Sequence, residues 1–120
     1  MKVIVAGSRT ITHYPTVRNS INQVLRENQI KVSEIVSGHA GGVDKLGEEY
    51  AERNFIPLKV FPADWGKYKK QAGFIRNAEM AEYADALIAI WDGKSNGTKH
   101  MIKMAEKKNL ETFIITLEGD

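Results

Sequence analysis

Short apolar runs alternate along the chain with longer amphipathic segments. Most of the runs are rich in β-branched residues and end at Gly, Ser, Pro or Asp, as buried strands do. The five runs are residues 3–6, 34–36, 58–61, 86–91 and 112–116. Because none of them shows the strict polar and apolar alternation of a half-exposed strand, we expect a sheet that is covered on both faces.

The segments between these runs repeat apolar residues at helical spacing, and Pro15 suits a first helical turn. The four predicted stripes are Val17, Ile21, Val24 and Leu25; Val43, Leu46, Tyr50, Ala51 and Asn54; Phe74, Ala78, Ala81 and Asp85; and Thr98, Ile102 and Ala105. Strands that alternate with helices predict an α/β, three-layer Rossmann-like domain. We expect residues 1–120 to form one such domain, with a five-stranded, mainly parallel sheet of order 3-2-1-4-5 and helices on both faces.

Composition narrows the class of protein. The chain has 120 residues, a formal charge of +2 and no cysteine, which excludes disulfides and thiolate chemistry and fits a cytoplasmic protein. The charge is too small for a duplex-binding face, so nucleic acid is an unlikely partner. The longest later apolar run, residues 86–91, is far shorter than the roughly 20 residues of a membrane helix, so no membrane is expected. His13, His39 and His100 lack metal-ligand spacing, and we expect neither a metal nor a cofactor.

The predicted topology indicates where a ligand would bind. In open parallel sheets, ligands occupy the carboxyl edge, where helix amino ends offer free N–H groups and partial positive charge. The first strand ends there in Gly7, Ser8 and Arg9. Glycine allows close backbone approach, serine supplies a hydroxyl, and the arginine fork suits phosphate. An ordinary turn with a solvated arginine is the alternative.

The second strand ends in a loop with three glycines in five residues. Ser37, Gly38, Gly41 and Gly42 form a segment able to wrap a phosphate or a ribose, although the G-x-G-x-x-G fingerprint is absent. Asp44 follows at the start of a helix. It can accept hydrogen bonds from ribose hydroxyls or cap the helix, and the sequence leaves both roles open.

The fourth strand ends in a loop whose composition suits a phosphate cradle. Its candidate binding residues are Asp92, Gly93, Lys94, Ser95, Gly97 and Thr98. A Walker A loop is excluded, because that pattern needs glycine where Ile88 stands inside a strand. Gly97 and Thr98 nevertheless fall at a helix amino end, where N–H groups and hydroxyls bind anions.

The third connection carries an aromatic residue and several cations. Trp65 precedes a stretch with Lys67, Lys69 and Lys70, and it either stacks on a base or packs as a lid on the core. Arg76 and Asn77 fall near the first turn of the next helix, within reach of the same edge. An Arg76–Glu79 surface ion pair is the alternative use of this arginine.

Together these loops resemble a known family. The matching segments are Gly7-Ser8-Arg9, Ser37-Gly38-x-Ala40-x-Gly42-x-Asp44, Phe61-Pro62-Ala63-Asp64-Trp65, Ala72-Gly73-x-x-Arg76-Asn77-x-x-Met80 and Asp92-Gly93-Lys94-Ser95-x-Gly97-Thr98. They resemble the YspA-like group of the SLOG superfamily, which is related to the DprA and LOG (lysine decarboxylase-like) proteins. The resemblance implies a Rossmann-like domain that senses or processes nucleotide-derived ligands.

The LOG branch implies a specific reaction, cleavage of nucleoside monophosphates at the N-glycosidic bond. Its Arg-Lys-x-x-Met motif resembles residues 76–80, and its Pro-Gly-Gly-x-Gly-Thr-x-x-Glu motif resembles residues 92–98 up to Gly-Thr. The glutamate of the second motif falls at Met101, which carries no charge. A catalytic carboxylate would then come from elsewhere, with Glu48, Glu79, Asp64 and Asp92 as the choices.

Three functions follow as hypotheses. The first is binding or sensing of a small nucleotide-like phosphorylated ligand at the carboxyl edge. The alternative is a LOG-type phosphoribohydrolase in which Arg76, with Glu79 or Glu48, is catalytic. The second alternative is a single-stranded nucleic-acid module that uses Trp65 and the nearby lysines. Pairing into a homodimer is left open.

Overall fold

Strands and helices alternate along the chain as the apolar runs predict. The computed structural model describes residues 1–117. The strands are β1 (Lys2–Gly7), β2 (Glu34–Ser37), β3 (Leu58–Val60), β4 (Ala86–Trp91) and β5 (Glu111–Thr116), and the helices are α1 (Tyr14–Glu27), α2 (Val43–Arg53), α3 (Trp65–Tyr68), α4 (Ala72–Tyr83) and α5 (Asn96–Lys107). A 3-10 turn at Lys69–Gln71 joins α3 to α4. Within the described residues, no helix combines the length and the apolarity that crossing a bilayer requires.

The five strands form one sheet in the order β3-β2-β1-β4-β5, and all neighbouring pairs are parallel. Val3 lies opposite Ile35 on one side and Ala86 on the other. The predicted fold class and strand order are therefore confirmed. The strand order reverses between β1 and β4, and in open parallel sheets the crevice at the carboxyl edge beside such a reversal is where ligands bind.

The sheet separates two apolar cores, so the domain has three layers. Val3 and Val5 of β1 belong to the core under α1 and α2, together with Ile21. The alternate residues, of which Ile4 is one, belong to the core under α4 and α5, together with Met80. Because both faces of the central strands are covered, these strands read as continuous apolar runs.

The buried face of α4 differs from the predicted stripe. Ala81 is buried as predicted, but the expected residues Phe74 and Asp85 are exposed, and Asn77 and Met80 are buried instead. The apolar pattern did not include Asn77 in the buried stripe, because its side chain is polar; the sequence predicted it as a ligand contact at the carboxyl edge. In the structure the side-chain amide of Asn77 is fully hydrogen-bonded, which removes the penalty for burying it.

Candidate functional site

A cavity of about 440 Å³ opens at the carboxyl edge of the sheet. The structure brings together eleven of the residues that the sequence nominates, all of which line this cavity: Gly7, Arg9, Asp44, Trp65, Arg76, Asn77, Asp92, Lys94, Ser95, Gly97 and Thr98. Its volume falls within the range of small-molecule sites, roughly 300–1,000 Å³. The cavity is also lined by Lys70, one of the lysines near Trp65, and by Thr10 and Phe74, for which the sequence predicted no binding role.

Other nominated residues lie in the same loops but not on the cavity wall; they are Ser8, Ser37, Gly38, Gly41, Gly42 and Gly93. Ser8 is buried, and its hydroxyl oxygen accepts the amide of Asp92 at 2.9 Å. Its carbonyl accepts the amides of Ile11 and Val43. Ser8 therefore ties the loops after β1 and β4 to the start of α2.

The two glutamates proposed as catalytic do not line the cavity either. The buried hydroxyl of Ser37 donates to Glu48 at 2.8 Å, and the His39 ring lies 2.9 Å from the same carboxylate. Through these contacts Glu48 stabilises the glycine-rich loop after β2, residues 38–42. Glu48 also lines a separate groove beside α2 and β3. Glu79 is exposed on α4. Their positions give no support to a catalytic role for either residue.

Arg76 is fixed by two hydrogen bonds. Its Nε donates to Oδ1 of Asn77 at 3.0 Å, and its Nη1 donates to the carbonyl of Gly38. A methyl group at Gly38 would lie 2.7 Å from Nη1, so only glycine lets the guanidinium rest on this loop. Within residues 1–117 the Nη2 group has no hydrogen-bond partner, which leaves it available beside the cavity.

The side-chain amide of Asn77 positions neighbouring residues, because its hydrogen bonds are all made to other groups of the protein. Besides accepting from Arg76, it donates through Nδ2 to the carbonyl of Gly97 at 3.3 Å and faces Nδ1 of His100 at 3.1 Å. The His100 ring stacks on Phe74 with a centroid distance of 4.2 Å. Sequence reasoning treated Asn77 as a ligand contact and gave His100 no role, since no local pattern links α4 to α5.

Asp44 is a buried carboxyl group on the cavity wall, only 5% exposed. Its Oδ2 accepts the amide of Ala40 at 3.2 Å, while the N-cap of α2 is Gly42 with no side-chain capping bond. Asp44 is therefore not the cap of this helix. Burial raises the pKa of Asp44 from 3.8 to about 6, against the opposing effects of the Ala40 amide and the nearby charge of Arg76.

Asp92 is the other acidic residue on the cavity wall, and its pKa is shifted in the opposite direction from that of Asp44. The amides of Lys94 and Ser95 donate to its Oδ1 at 2.8 and 3.0 Å, and the Thr10 hydroxyl donates to Oδ2 at 3.2 Å. These backbone hydrogen bonds lower the pKa of Asp92 from 3.8 to about 2. Its charge is therefore used to hold the β4 loop in shape.

The amino end of α5 faces the cavity. Ser95 is the N-cap and accepts the amide and the hydroxyl of Thr98 at 3.3 and 3.1 Å. The amides of Asn96 and Gly97, in the first turn, have no acceptor within the helix, as is general for this position. Met101 lines the cavity from the next turn, so the wall is apolar where the LOG glutamate would fall.

Aromatic side chains form the remaining wall. Trp65 is 53% exposed and Phe74 is 48% exposed, although both line the cavity. A methyl group at Gly73 would lie 3.6 Å from the Trp65 ring, so the indole packs against the start of α4. Trp65 is thus not part of the core, and stacking on a ligand remains its predicted role.

The sheet order, the two flanking helix layers and the crevice between β1 and β4 define a Rossmann-like α/β domain. Residues 1–68 match the model of the YspA, cpYpsA-related SLOG family. The Gene 61 protein of Mycobacterium phage D29 is 30% identical over 115 residues, covering 91% of each chain. The chain therefore belongs to the YspA- and cpYpsA-related SLOG family, which confirms the resemblance drawn from its loops.

A solved structure supports the fold independently. DNA processing protein A (DprA) from Streptococcus pneumoniae superposes with a TM-score of 0.73 at 18% sequence identity. The match covers 94% of this chain and 49% of the DprA chain, so this protein spans about half the length of that structure. At this identity the likeness establishes the Rossmann-like fold alone.

Proposed function

We propose that the cavity binds a nucleotide or a nucleotide-derived phosphorylated ligand. The observation that carries the proposal is the fixed guanidinium of Arg76, whose Nη2 stays available beside the amino end of α5. A planar, pre-oriented guanidinium binds phosphate oxygens through paired charged hydrogen bonds. Membership of the SLOG family supports nucleotide-related binding in general.

The charges on the wall favour an anion. The basic lining residues are Arg9, Lys70, Arg76 and Lys94, and the acidic ones are Asp44 and Asp92. The negative charge of Asp92 is compensated by the hydrogen bonds that it accepts, and burial disfavours the charge on Asp44. The cavity therefore offers net positive potential and helix N–H groups to a phosphate.

The other parts of the wall suit a base and a sugar. Trp65 and Phe74 present exposed rings on which a base can stack. The carboxyl of Asp44 lies on the same wall and can accept or donate hydrogen bonds to sugar hydroxyls, according to its protonation state. We infer that the ligand contains all three parts: base, sugar and phosphate.

Isothermal titration calorimetry tests the proposal with AMP, ADP, ADP-ribose and cyclic mononucleotides. Arg76→Ala is expected to weaken the binding of the tightest of these ligands about tenfold to a hundredfold, because the substitution removes a charged hydrogen bond. The control is Arg26→Ala, which makes the same charge change in the last turn of α1, away from the cavity. Absence of binding at millimolar concentration, or equal losses in the two variants, would contradict the proposal.

The position of Asp44 favours a second candidate function, hydrolysis of the N-glycosidic bond of a nucleoside monophosphate. Water would add to C1′ of the sugar and the base would leave with a proton, giving free base and ribose 5-phosphate. A carboxylate beside the sugar stabilises the oxocarbenium-like transition state, and Asp44 is a buried carboxyl group on the wall.

Chromatography of AMP incubated with the protein decides this candidate. Release of adenine by the wild type and its loss in Asp44→Asn would support hydrolysis. Glu79→Gln is the matched control, because Glu79 is exposed outside the cavity. Background release by both the wild type and Asp44→Asn would leave binding as the function.

A further inference from the structure

We propose that His100 is a positioning residue, whose neutral ring, protonated on Nε2, holds Arg76 in its ligand-binding orientation through Asn77. The inference rests on the proposed function, in which Arg76 binds a phosphate. His100 itself does not line the cavity, so it acts through its neighbours and not on the ligand.

The polarity of three hydrogen bonds fixes the state of the His100 ring. The Nε of Arg76 can only donate, so the Asn77 atom that faces it at 3.0 Å must be the carbonyl oxygen. The carbonyl of Gly97 can only accept, so the Asn77 atom that faces it at 3.3 Å must be the amide nitrogen. These two constraints are independent and agree on one orientation of the Asn77 amide.

The same amide nitrogen lies 3.1 Å from Nδ1 of His100. Because an NH₂ group only donates, Nδ1 must carry a lone pair, and the ring proton must be on Nε2. Protonating Nδ1 would bring an N–H against the hydrogens of Asn77. Turning the Asn77 amide over to accept it would break the bond to Arg76 and the bond to Gly97.

The surroundings of His100 oppose its protonation. Burial lowers the pKa of His100, and the charge of Lys103 on the same helix lowers it further. From α4 the ring meets Phe74 and the uncharged amide of Asn77. Within residues 1–117, no carboxylate lies within ion-pair distance of the ring. The neutral form that Asn77 requires is therefore the form that the site favours.

This arrangement makes the orientation of Arg76 sensitive to acid. His100→Asn keeps an acceptor near the position of Nδ1 but cannot titrate. Because the pKa of His100 is lowered from 6.5, we expect the affinity of the wild type for AMP to fall, as the pH is lowered below 6.5, by up to about threefold to tenfold more than that of His100→Asn, the effect of one lost hydrogen bond. Asp44 and the AMP phosphate titrate in both proteins, so the comparison of the two cancels their contribution.

Nitrogen-15 NMR of the imidazole groups provides a readout that does not depend on affinity. The His100 signals, identified by their loss in His100→Asn, should show the Nε2-protonated tautomer in the free protein, with His13 and His39 as references. Asn77→Asp keeps an acceptor for Arg76 but turns a carboxylate oxygen toward Nδ1, so the pKa of His100 should rise in that variant. If Asn77→Asp does not fold, the tautomer of the wild type still tests the inference.

The outcomes separate the two proposals. A wild type that binds none of the nucleotides at any pH contradicts the proposed function, whatever the tautomer of His100. A wild type that binds AMP with the same pH dependence as His100→Asn overturns the role of His100 alone. An Nδ1-protonated ring in the free protein overturns it as well. The Nε2 tautomer together with a flattened pH profile in His100→Asn supports it.

Discussion

Replacing Asp44 with asparagine is expected to stabilise the protein at neutral pH while weakening ligand binding. The carboxyl group is 5% exposed, and burial raises its pKa from 3.8 to about 6. Asparagine has nearly the same shape, keeps an oxygen for the amide of Ala40 and carries no charge. The substitution therefore removes the cost of ionising a buried group with little change in packing.

The expected magnitude follows from the linkage between protonation and folding. Between about pH 4 and pH 6, the unfolded chain has lost the proton of Asp44 while the folded chain still holds it, so wild-type stability falls as pH rises through this window. A shift from 3.8 to about 6 corresponds to about 3 kcal/mol in the free energy of unfolding. Above about pH 6, the free energy of unfolding of Asp44→Asn should exceed that of the wild type by up to this amount. Below about pH 4, the two proteins should be equally stable.

Urea denaturation of the wild type and the variant at several pH values, followed by circular dichroism, measures the difference. Asp92→Asn is the matched control, because hydrogen bonds lower the pKa of Asp92 to about 2. The stability that Asp92 contributes is present above about pH 4 and is lost as pH falls toward about 2, so its replacement should destabilise the protein at neutral pH. A difference between Asp44→Asn and the wild type that is negative or independent of pH would refute the reasoning.

Other substitutions test the loops and the aromatic wall. Gly42 has φ +69°, and a methyl group there would lie 2.3 Å from the carbonyl of Ser8, so Gly42→Ala should lose at least about 1–3 kcal/mol of stability in thermal unfolding. Gly41→Ala, with no atom within 4 Å, should leave stability nearly unchanged. In calorimetry, Trp65→Ala should weaken the binding of AMP about fivefold to a hundredfold but leave the affinity for ribose 5-phosphate unchanged, because only the base stacks on the indole ring. Fluorescence anisotropy with a labelled single-stranded oligonucleotide should detect no binding at physiological salt, because the net charge is only +2.

The architecture and the location of the cavity could be predicted from sequence. Strands covered on both faces give uninterrupted apolar runs, and a parallel order brings the loops after β1, β2 and β4 to one edge. Gly7, Asp44 and Thr98 line one cavity for this reason, although they are far apart in the chain.

The exposure of α4 and the roles of single side chains could not be predicted. Asn77 is buried because its partners, Gly97 and His100, come from α5, and Phe74 is exposed because it borders a cavity. Glu48 faces Ser37 behind the glycine loop, whereas Asp44, four residues earlier on α2, faces the cavity. The two carboxylates are one helical turn apart, yet Glu48 stabilises a loop and Asp44 lines the cavity. Only the packing of the folded chain determines which of them reaches the cavity.

The hydrogen bonds of Ser8 have a consequence for how ligand choice can change in this family. Because the amides of Ile11, Val43 and Asp92 all donate to Ser8, opening the loop after β1 breaks the contacts that this residue makes with the other two loops. These three amides should therefore exchange with solvent together when that loop opens. The short helix α3, which contains Trp65, buries no residue and is outside this unit. For the proposed nucleotide ligand, substitutions in α3 should therefore alter which base is bound without disturbing the loops that would bind the phosphate, and divergence in ligand preference should concentrate in α3.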